Sequence, residues 1–396
     1  MRIYHIAVTK RERVLSGGET CMISLIQYLR NKKLQNFIVT TPIGKESFEE
    51  AGLKEDGIYI RYIVNTLTQQ ESRLHVYPSW IISAIKSFFS FRLMRFIPGD
   101  SIMCYSYFFP DFLLAYAWKK RNKHIPVFYW YHMLSPRLWY GYRGEFTGIK
   151  HIPALHEVLY KLNEYIFRYF VDKTDIIITV SKYYLHILKK VFPGMYIYCL
   201  TRFGGGKNID SSGGKKIYDL IWVGRFHPQK GLFELLDIVT KLVSQVHHLK
   251  IVIIGDGPDT IKNRFMNELK ERGLMNNIIC VGAVVRRSIY LDYIRKAKVY
   301  ITTSLYEGFG LANLEAMKQG LPVVAYDLPP YEPLKGGLIT VPILDNDLFV
   351  QKIVKLLRNK RYCGAQAKKA YAVSKEFTWE TMGDEVFSLI QKYVQK

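Results

Sequence analysis

From residue 219 onward, short apolar runs alternate with longer amphipathic segments, and this rhythm constrains the fold more than any other feature of the chain. The runs are residues 219–223, 249–254, 278–281, 299–302 and 321–325. Between them lie segments such as 232–246 and 259–272, long enough for right-handed crossovers between parallel strands. The expectation is α/β, a doubly wound sheet. Residues 3–8, 37–40, 101–105, 127–130 and 176–180 repeat the alternation less cleanly in the first half, which reads as a second Rossmann-like domain. A chain of 396 residues with 49% apolar and 14% aromatic residues has the material for two cores. Glycine and serine at 204–206 and 211–214 mark the hinge. The predicted organisation is an N-terminal domain at 1–203, a linker at 204–216, a C-terminal domain at 217–376, and a helix at 377–396 that packs back on the first domain.

The five cysteines form no close pair and no metal-ligand spacing, so a reducing, cytoplasmic setting is expected. Residues 1–8 run directly into Lys10-Arg-Glu-Arg13 without the apolar core of a signal peptide. The most apolar stretch, 96–118, is interrupted by Pro98, Asp100, Pro110 and Asp111, and no clean membrane-spanning helix is expected. Lysine and arginine number 56 against 34 acidic residues, a net charge of +22 that calls for an anionic partner without choosing among nucleic acid, lipid surface and phosphorylated substrate. Residues 80–96 combine bulky apolar side chains with Lys86, Arg92 and Arg95 and carry no acid. They fit a membrane interface, and equally a core helix with a basic edge. Lys119-Lys-Arg-Asn-Lys123 reads as a solvated basic cluster.

Polar residues and glycines gather just after the apolar runs, where an open parallel sheet builds its ligand crevice. After 219–223 comes Gly224-Arg-Phe-His-Pro-Gln-Lys-Gly231, whose Arg225 and Lys230 stand near a helix N-terminus and suit a diphosphate. Taken alone, the loop also fits a solvated basic turn. Gly255-Asp-Gly-Pro258 follows the second run and permits close backbone approach. The most specific stretch begins at Ser304: Glu307 stands in a loop, Glu315 lies about one turn into the next helix, and Gly308 and Gly310 leave amides open toward an anion. Carboxylates beside a phosphate cradle repel the phosphate unless they bind hydroxyls, which a sugar and a ribose present. A sugar nucleotide meets both demands.

On these residues, the C-terminal half resembles glycosyltransferase family 4, a retaining GT-B family. The resemblance rests on Gly224-Arg225, Lys230-Gly231, Gly255-Asp-Gly-Pro258, Gly282 and the stretch from Glu307 to Pro322. It implies two Rossmann-like domains facing each other across a cleft. Arg225 and Lys230 would hold the donor diphosphate, Glu307 the sugar hydroxyls and Glu315 the ribose, with Gly255 and the amides of Phe309, Gly310 and Leu311 completing the donor set. In the first half the resemblance is looser. Gly17 and Gly18 match the family's early glycine pair, His132 stands where the family carries a histidine near the donor sugar, and Ser181 matches a family serine or is an N-cap. Two departures stand out: Arg202-Phe-Gly-Gly-Gly-Lys207 replaces the usual loop before the linker, and Asp327-Leu-Pro-Pro-Tyr-Glu-Pro333 replaces the small residues after the fifth strand. Asp345-Asn-Asp347 imitates a metal-binding acid pair but sits where it caps a helix.

The reading is transfer of a hexose from a UDP- or GDP-type donor to a glycan or lipid-linked acceptor, with retention of configuration and catalysis assigned to His132 and Glu307. No cofactor or divalent metal is expected, and an anionic membrane surface is the expected partner, with the protein peripheral on the inner face. A nucleotide-sugar 2-epimerase on the same fold is the nearest alternative. Nucleic-acid binding would explain the charge and leave the glutamates unexplained, so no nucleic acid is expected.

Overall fold

The computed structural model describes residues 1–8, 16–57, 59–64, 82, 85–86, 88–89, 94–205 and 215–394. The basic stretch 10–13, residues 206–214 of the hinge and most of segment 80–96 lie outside the described residues. Two compact units emerge from the contacts: unit 1 comprises Met1–Ser135, Ala154–Gly204 and Trp379–Lys396, and unit 2 comprises Pro136–Pro153 and Gly205–Thr378.

In chain order unit 1 contains β1 (Arg2–Ala7), α1 (Gly17–Asn31), β2 (Gln35–Thr40), α2 (Pro42–Glu50), β3 (Ile60–Val64), β4 (Ser101–Cys104), α3 (Phe109–Arg121) and β5 (Val127–Tyr131). The chain then enters unit 2 for α4 (Gly141–Thr147) and returns for α5 (Leu155–Phe170), β6 (Ile176–Thr179), α6 (Lys182–Val191) and β7 (Tyr196–Cys199). Among the described residues its sheet runs β3-β2-β1-β4-β5-β6-β7, parallel throughout. Helix α1 starts where it does because Ser16 and Glu19 close a capping box: the Glu19 amide donates to Ser16 Oγ at 3.4 Å and the Ser16 amide to Glu19 Oε2 at 2.6 Å. The core mixes aromatic and ionisable groups. Tyr4 packs on Phe37, Phe96 and Trp118. His5 is bonded to Tyr105 (3.0 Å) and Asn36 (2.9 Å), and Asp111 accepts from the Val8 amide at 2.9 Å.

Unit 2 continues with β8 (Tyr218–Val223), a 3-10 turn (Pro228–Lys230), α7 (Leu232–Val243), β9 (Ile251–Ile254), α8 (Asp259–Glu271), β10 (Ile278–Gly282), α9 (Arg287–Arg295), β11 (Ala297–Thr302), α10 (Leu311–Lys318), β12 (Val323–Tyr326), a 3-10 segment (Pro329–Gly337), β13 (Leu338–Val341), α11 (Asn346–Arg358) and α12 (Lys360–Ser374). Its sheet, again parallel, is ordered β10-β9-β8-β11-β12-β13. The core between this sheet and its helices is mostly aliphatic, with Leu220, Ile251, Ile253, Val299, Ile301, Leu232, Leu235, Leu236 and Val239 in one cluster that also holds Trp222, Phe226 and Phe265. Helix α13 (Trp379–Val394) rejoins unit 1, where it packs on α1 through Met382 and Gly383 and buries Val386 and Ile390.

The sequence rhythm placed most strands within two residues. It passed over β3, β7 and β13, each of which lies at a sheet edge. Ile60–Val64 and Tyr196–Cys199 are partly exposed, so their patterns lack the continuous apolar run that marks a strand buried on both faces.

Candidate functional site

In unit 2, β8 lies between β9 and β11, so the chain leaves the first strand in one direction and crosses back in the other. That is the switch point at which an open parallel sheet opens a crevice beyond its strand ends. The loops after β8 and β11 are bonded together there. The Leu305 amide donates to the Gln229 carbonyl at 2.8 Å, and Gln229 Nε2 donates to the Tyr306 carbonyl at 2.9 Å. Thr303 Oγ1 donates to the Gly231 carbonyl at 2.7 Å and accepts from Trp222 Nε1 at 3.1 Å. Gly231 has φ +62°, and a Cβ there would stand 1.9 Å from the Thr303 carbonyl oxygen. A Cβ at Gly255 would similarly meet the Gly224 carbonyl at 1.8 Å, so the β9 loop presses directly on the β8 loop.

This zipper brings Lys230 and Glu307 into contact as an ion pair. Ser304 Oγ donates to the same Glu307 oxygen at 2.9 Å. Arg225, five residues ahead of Lys230, is exposed. Gly310, with φ +87°, occupies the N-cap position of α10, so the first amides of that helix, beginning at Leu311, have no partner within the helix; Phe309 is buried just before it. Glu315, on α10, is only 6% exposed, and both its oxygens are engaged: Arg287 Nη1 lies 2.7 Å from Oε1, and the Tyr290 hydroxyl donates to Oε2 at 2.7 Å. Burial opposes the charge of Arg287, but the Glu315 carboxylate outweighs it and raises the guanidinium pKa. Sequence reasoning missed Arg287 and Tyr290; their one signal was a basic residue and a tyrosine three apart on the helix after β10.

Segment 136–153 was also missed. It packs on the same loops within unit 2. Tyr142 lies edge-on to His227 (centroids 5.1 Å) and beside Tyr306 (5.9 Å), Phe146 stacks on Tyr306 (5.6 Å), and Arg143 is 3.4 Å from Glu234. The aromatic side chains thus brace the residues flanking Lys230 and Glu307. Burial holds the Glu234 carboxyl above its ordinary pKa despite Arg143.

In unit 1, Gly17 and Gly18 form the first turn of α1, and a Cβ on Gly18 would stand 3.3 Å from His132 Nε2. His132 lies just beyond β5, stacked on Trp130, and its buried Nε2 makes no hydrogen bond among the described residues. Burial pushes its pKa down to about 4, so the ring is neutral at physiological pH. Ser181 is the N-cap of α6, accepting from the Tyr183 amide at 3.2 Å. Asp345 caps α11, accepting from the Leu348 amide at 3.0 Å, and Asp347 pairs with Lys241 at 2.6 Å. Among the described residues no cluster of three or more His, Cys, Asp or Glu is placed to hold a metal, and no helix is long and apolar enough to cross a membrane.

Residues 218–359 match the family described as Glycosyl transferases group 1, and residues 15–194 match Glycosyltransferase Family 4. An uncharacterized glycosyltransferase of Methanocaldococcus jannaschii is 28% identical over 59% of this chain and 66% of its own length. A phosphatidyl-myo-inositol mannosyltransferase of Mycobacterium leprae is 27% identical over 43% of this chain and 46% of its own. The chain thus spans less than two thirds of the length of these curated relatives. The fold is similar to that of an S. aureus TarM mutant in complex with fondaparinux, alpha-GlcNAc-glycerol and UDP, with a TM-score of 0.76, 12% identity, and coverage of 98% of this chain and 99% of that one.

Proposed function

The chain belongs to glycosyltransferase family 4, and from that membership we propose that it transfers a hexose, with retention, from a nucleoside diphosphate sugar to a glycan or lipid-linked acceptor. The observation that carries the reading is the Lys230–Glu307 pair at the switch point, between an exposed Arg225 and the amides that open α10. An ion pair at a crevice mouth is a poised exchange. The diphosphate takes the lysine, and the freed carboxylate accepts the sugar hydroxyls. Glu315, fixed by Arg287 and Tyr290, offers its remaining lone pairs to the ribose.

In the transfer, the bond between the anomeric carbon and the diphosphate oxygen breaks while the acceptor oxygen bonds to the same face. The acceptor proton passes to the departing phosphate. Arg225, Lys230 and the Phe309–Leu311 amides stabilise the charge that develops there, a role a divalent metal fills elsewhere, so none is required. Gly17, Gly18 and the neutral His132 are assigned to positioning, the histidine as a hydrogen-bonding group and not as a cation.

The test is incubation of the full chain with a panel of UDP- and GDP-sugars without acceptor, following slow release of nucleoside diphosphate. Release from one donor, abolished by Glu307→Ala, supports the reading. Silence across the panel, together with no shift in melting temperature on adding UDP or GDP, overturns it.

A further inference from the structure

Helix α5 carries apolar side chains on its outer face as well as on its inner one, where Phe167 is fully buried. The side chains on it that are most open to solvent are Leu155 (73%), Val158 (40%), Leu162 (51%), Tyr165 (50%) and Tyr169 (89%). Spacings of three and four put them in one row about 21 Å long on a single helix face. The opposite face buries its polar groups. Asn163 accepts from the Phe109 amide at 2.8 Å, and Glu164 is bonded to Ser135 and lies 3.1 Å from Lys161 Nζ. A helix with carboxylate inward and leucine outward is not using this row for its own fold, and a contiguous exposed apolar patch marks a contact surface.

The surroundings of the row say what it meets. At its C-terminal end Phe170 packs edge-on against Tyr116 (4.8 Å), and Lys120 Nζ lies over the Tyr116 ring at 5.3 Å. Lys120, Arg121 and Lys123 are thus exposed near the C-terminal end of α5, joined by exposed Lys173 beyond the helix. The acid among them, Asp172, is turned to the Thr174 amide (2.9 Å) and hydroxyl (2.8 Å). An apolar row with a basic end complements an anionic lipid surface. A second copy of the chain fits less well: one row of five side chains falls short of the roughly 1,200 Å² that stable interfaces bury, and a charge of +22 opposes self-association.

We propose that the outer face of α5 docks on an anionic membrane, with Leu155, Val158, Leu162, Tyr165 and Tyr169 at the boundary of headgroups and acyl chains and Lys120, Arg121, Lys123 and Lys173 on lipid phosphates. This stands apart from the donor reading, because it concerns unit 1 alone and is read by lipid binding.

The experiment is flotation of the full chain with vesicles of phosphatidylcholine, with and without phosphatidylglycerol, at low and high salt. The wild type should float with the anionic vesicles at low salt. Leu155→Ser with Leu162→Ser and Tyr169→Ser should lower partitioning about tenfold or more with an unchanged melting curve and unchanged donor hydrolysis. Should that triple variant fail to fold, Tyr169→Ser alone, at the most exposed position of the row, supplies the same comparison with a smaller loss. Lys120→Glu with Lys173→Glu should remove the salt-sensitive part only. Wild-type protein that ignores anionic vesicles at low salt, or folded apolar variants that bind like wild type, overturns the proposal. So does a lipid-free dimer that the same variants dissociate, which would assign the row to a second copy.

Discussion

Unit 1 and unit 2 wind the same kind of parallel sheet but fill it differently. Under its helices unit 2 packs mostly aliphatic side chains, and of its described acidic and basic residues it buries only Glu234, Glu315 and Lys318. Unit 1 buries His5, Asp100, Asp111, Lys119, Glu164 and Asp175, each needing a named partner. Asp100 holds Arg2 at 2.9 Å, and Lys119 donates to the Ile125 carbonyl at 2.7 Å while lying 3.6 Å from Asp175. Aliphatic burial tolerates changes of pH. A buried charge network does not, so the two halves of one chain should differ in what disturbs them.

Acid offers the largest separation. His5 and His132 have folded-state pKa values of about 4 because burial disfavours their cations. Their contribution is complete above the ordinary value near 6.5 and is lost as pH falls toward 4, about 2 kcal/mol each by pH 5. Burial raises Asp175 to about 6, which works in the opposite sense and stabilises unit 1 as pH falls through 6, by about 1 kcal/mol at pH 5. The net loss of about 3 kcal/mol should appear in hydrogen exchange as weakened protection of β1, β4 and β5 between pH 7 and 5 while β8, β9 and β11 hold. Equal loss in both sheets would erase the contrast.

Lys230→Ala and Glu307→Ala probe the other side. Each removes a charge-assisted contact of about 1.5 to 3 kcal/mol, so turnover should fall tenfold to a hundredfold or more with the melting curve nearly intact. Near-normal turnover in a folded variant removes that residue from the site. Tyr142→Ala takes away an aromatic brace of about 0.5 to 1.5 kcal/mol; a several-fold rise in donor KM is expected, with no change in the exchange of unit 1. If KM is unmoved, segment 136–153 only covers surface. The smallest effect is none at all: EDTA should leave the initial rate unchanged, and a rate restored only by Mg²⁺ or Mn²⁺ would mean that the cations Arg225 and Lys230 do not do the metal's work.

The same contrast governs how much was legible in the sequence. The strands of unit 2 read as continuous apolar runs with glycines and charges at their ends, so β8, β9 and β11 and their loops stood out together. Strands of unit 1 such as Tyr4-His5-Ile6 interleave titratable residues whose partners lie about a hundred residues away, as Tyr105 does for His5, and no local pattern announces them. The Lys230–Glu307 contact spans a comparable distance, yet each partner sits in a recognisable loop, so both loops were legible although their contact was not. Arg287 and Tyr290 lie on a helix without glycine, and Tyr142, although it sits between Gly141 and Gly144, follows no apolar run, so their contacts come from packing alone.

Helix α13 gives unit 1 a timetable. Tyr28 on α1 donates to Asp384, Cys21 faces Met382 at 3.7 Å, and a Cβ on Gly383 would strike the Tyr28 ring at 2.4 Å, so α1 is finished only by this helix. Yet residues 205–378, nearly all of unit 2, are synthesised between the two. On the ribosome unit 2 should therefore close first, while the face of α1 that carries Cys21 and Tyr28 waits for its cover. A chain stopped before residue 379 would carry a finished unit 2 beside a unit 1 that holdase chaperones can still recognise.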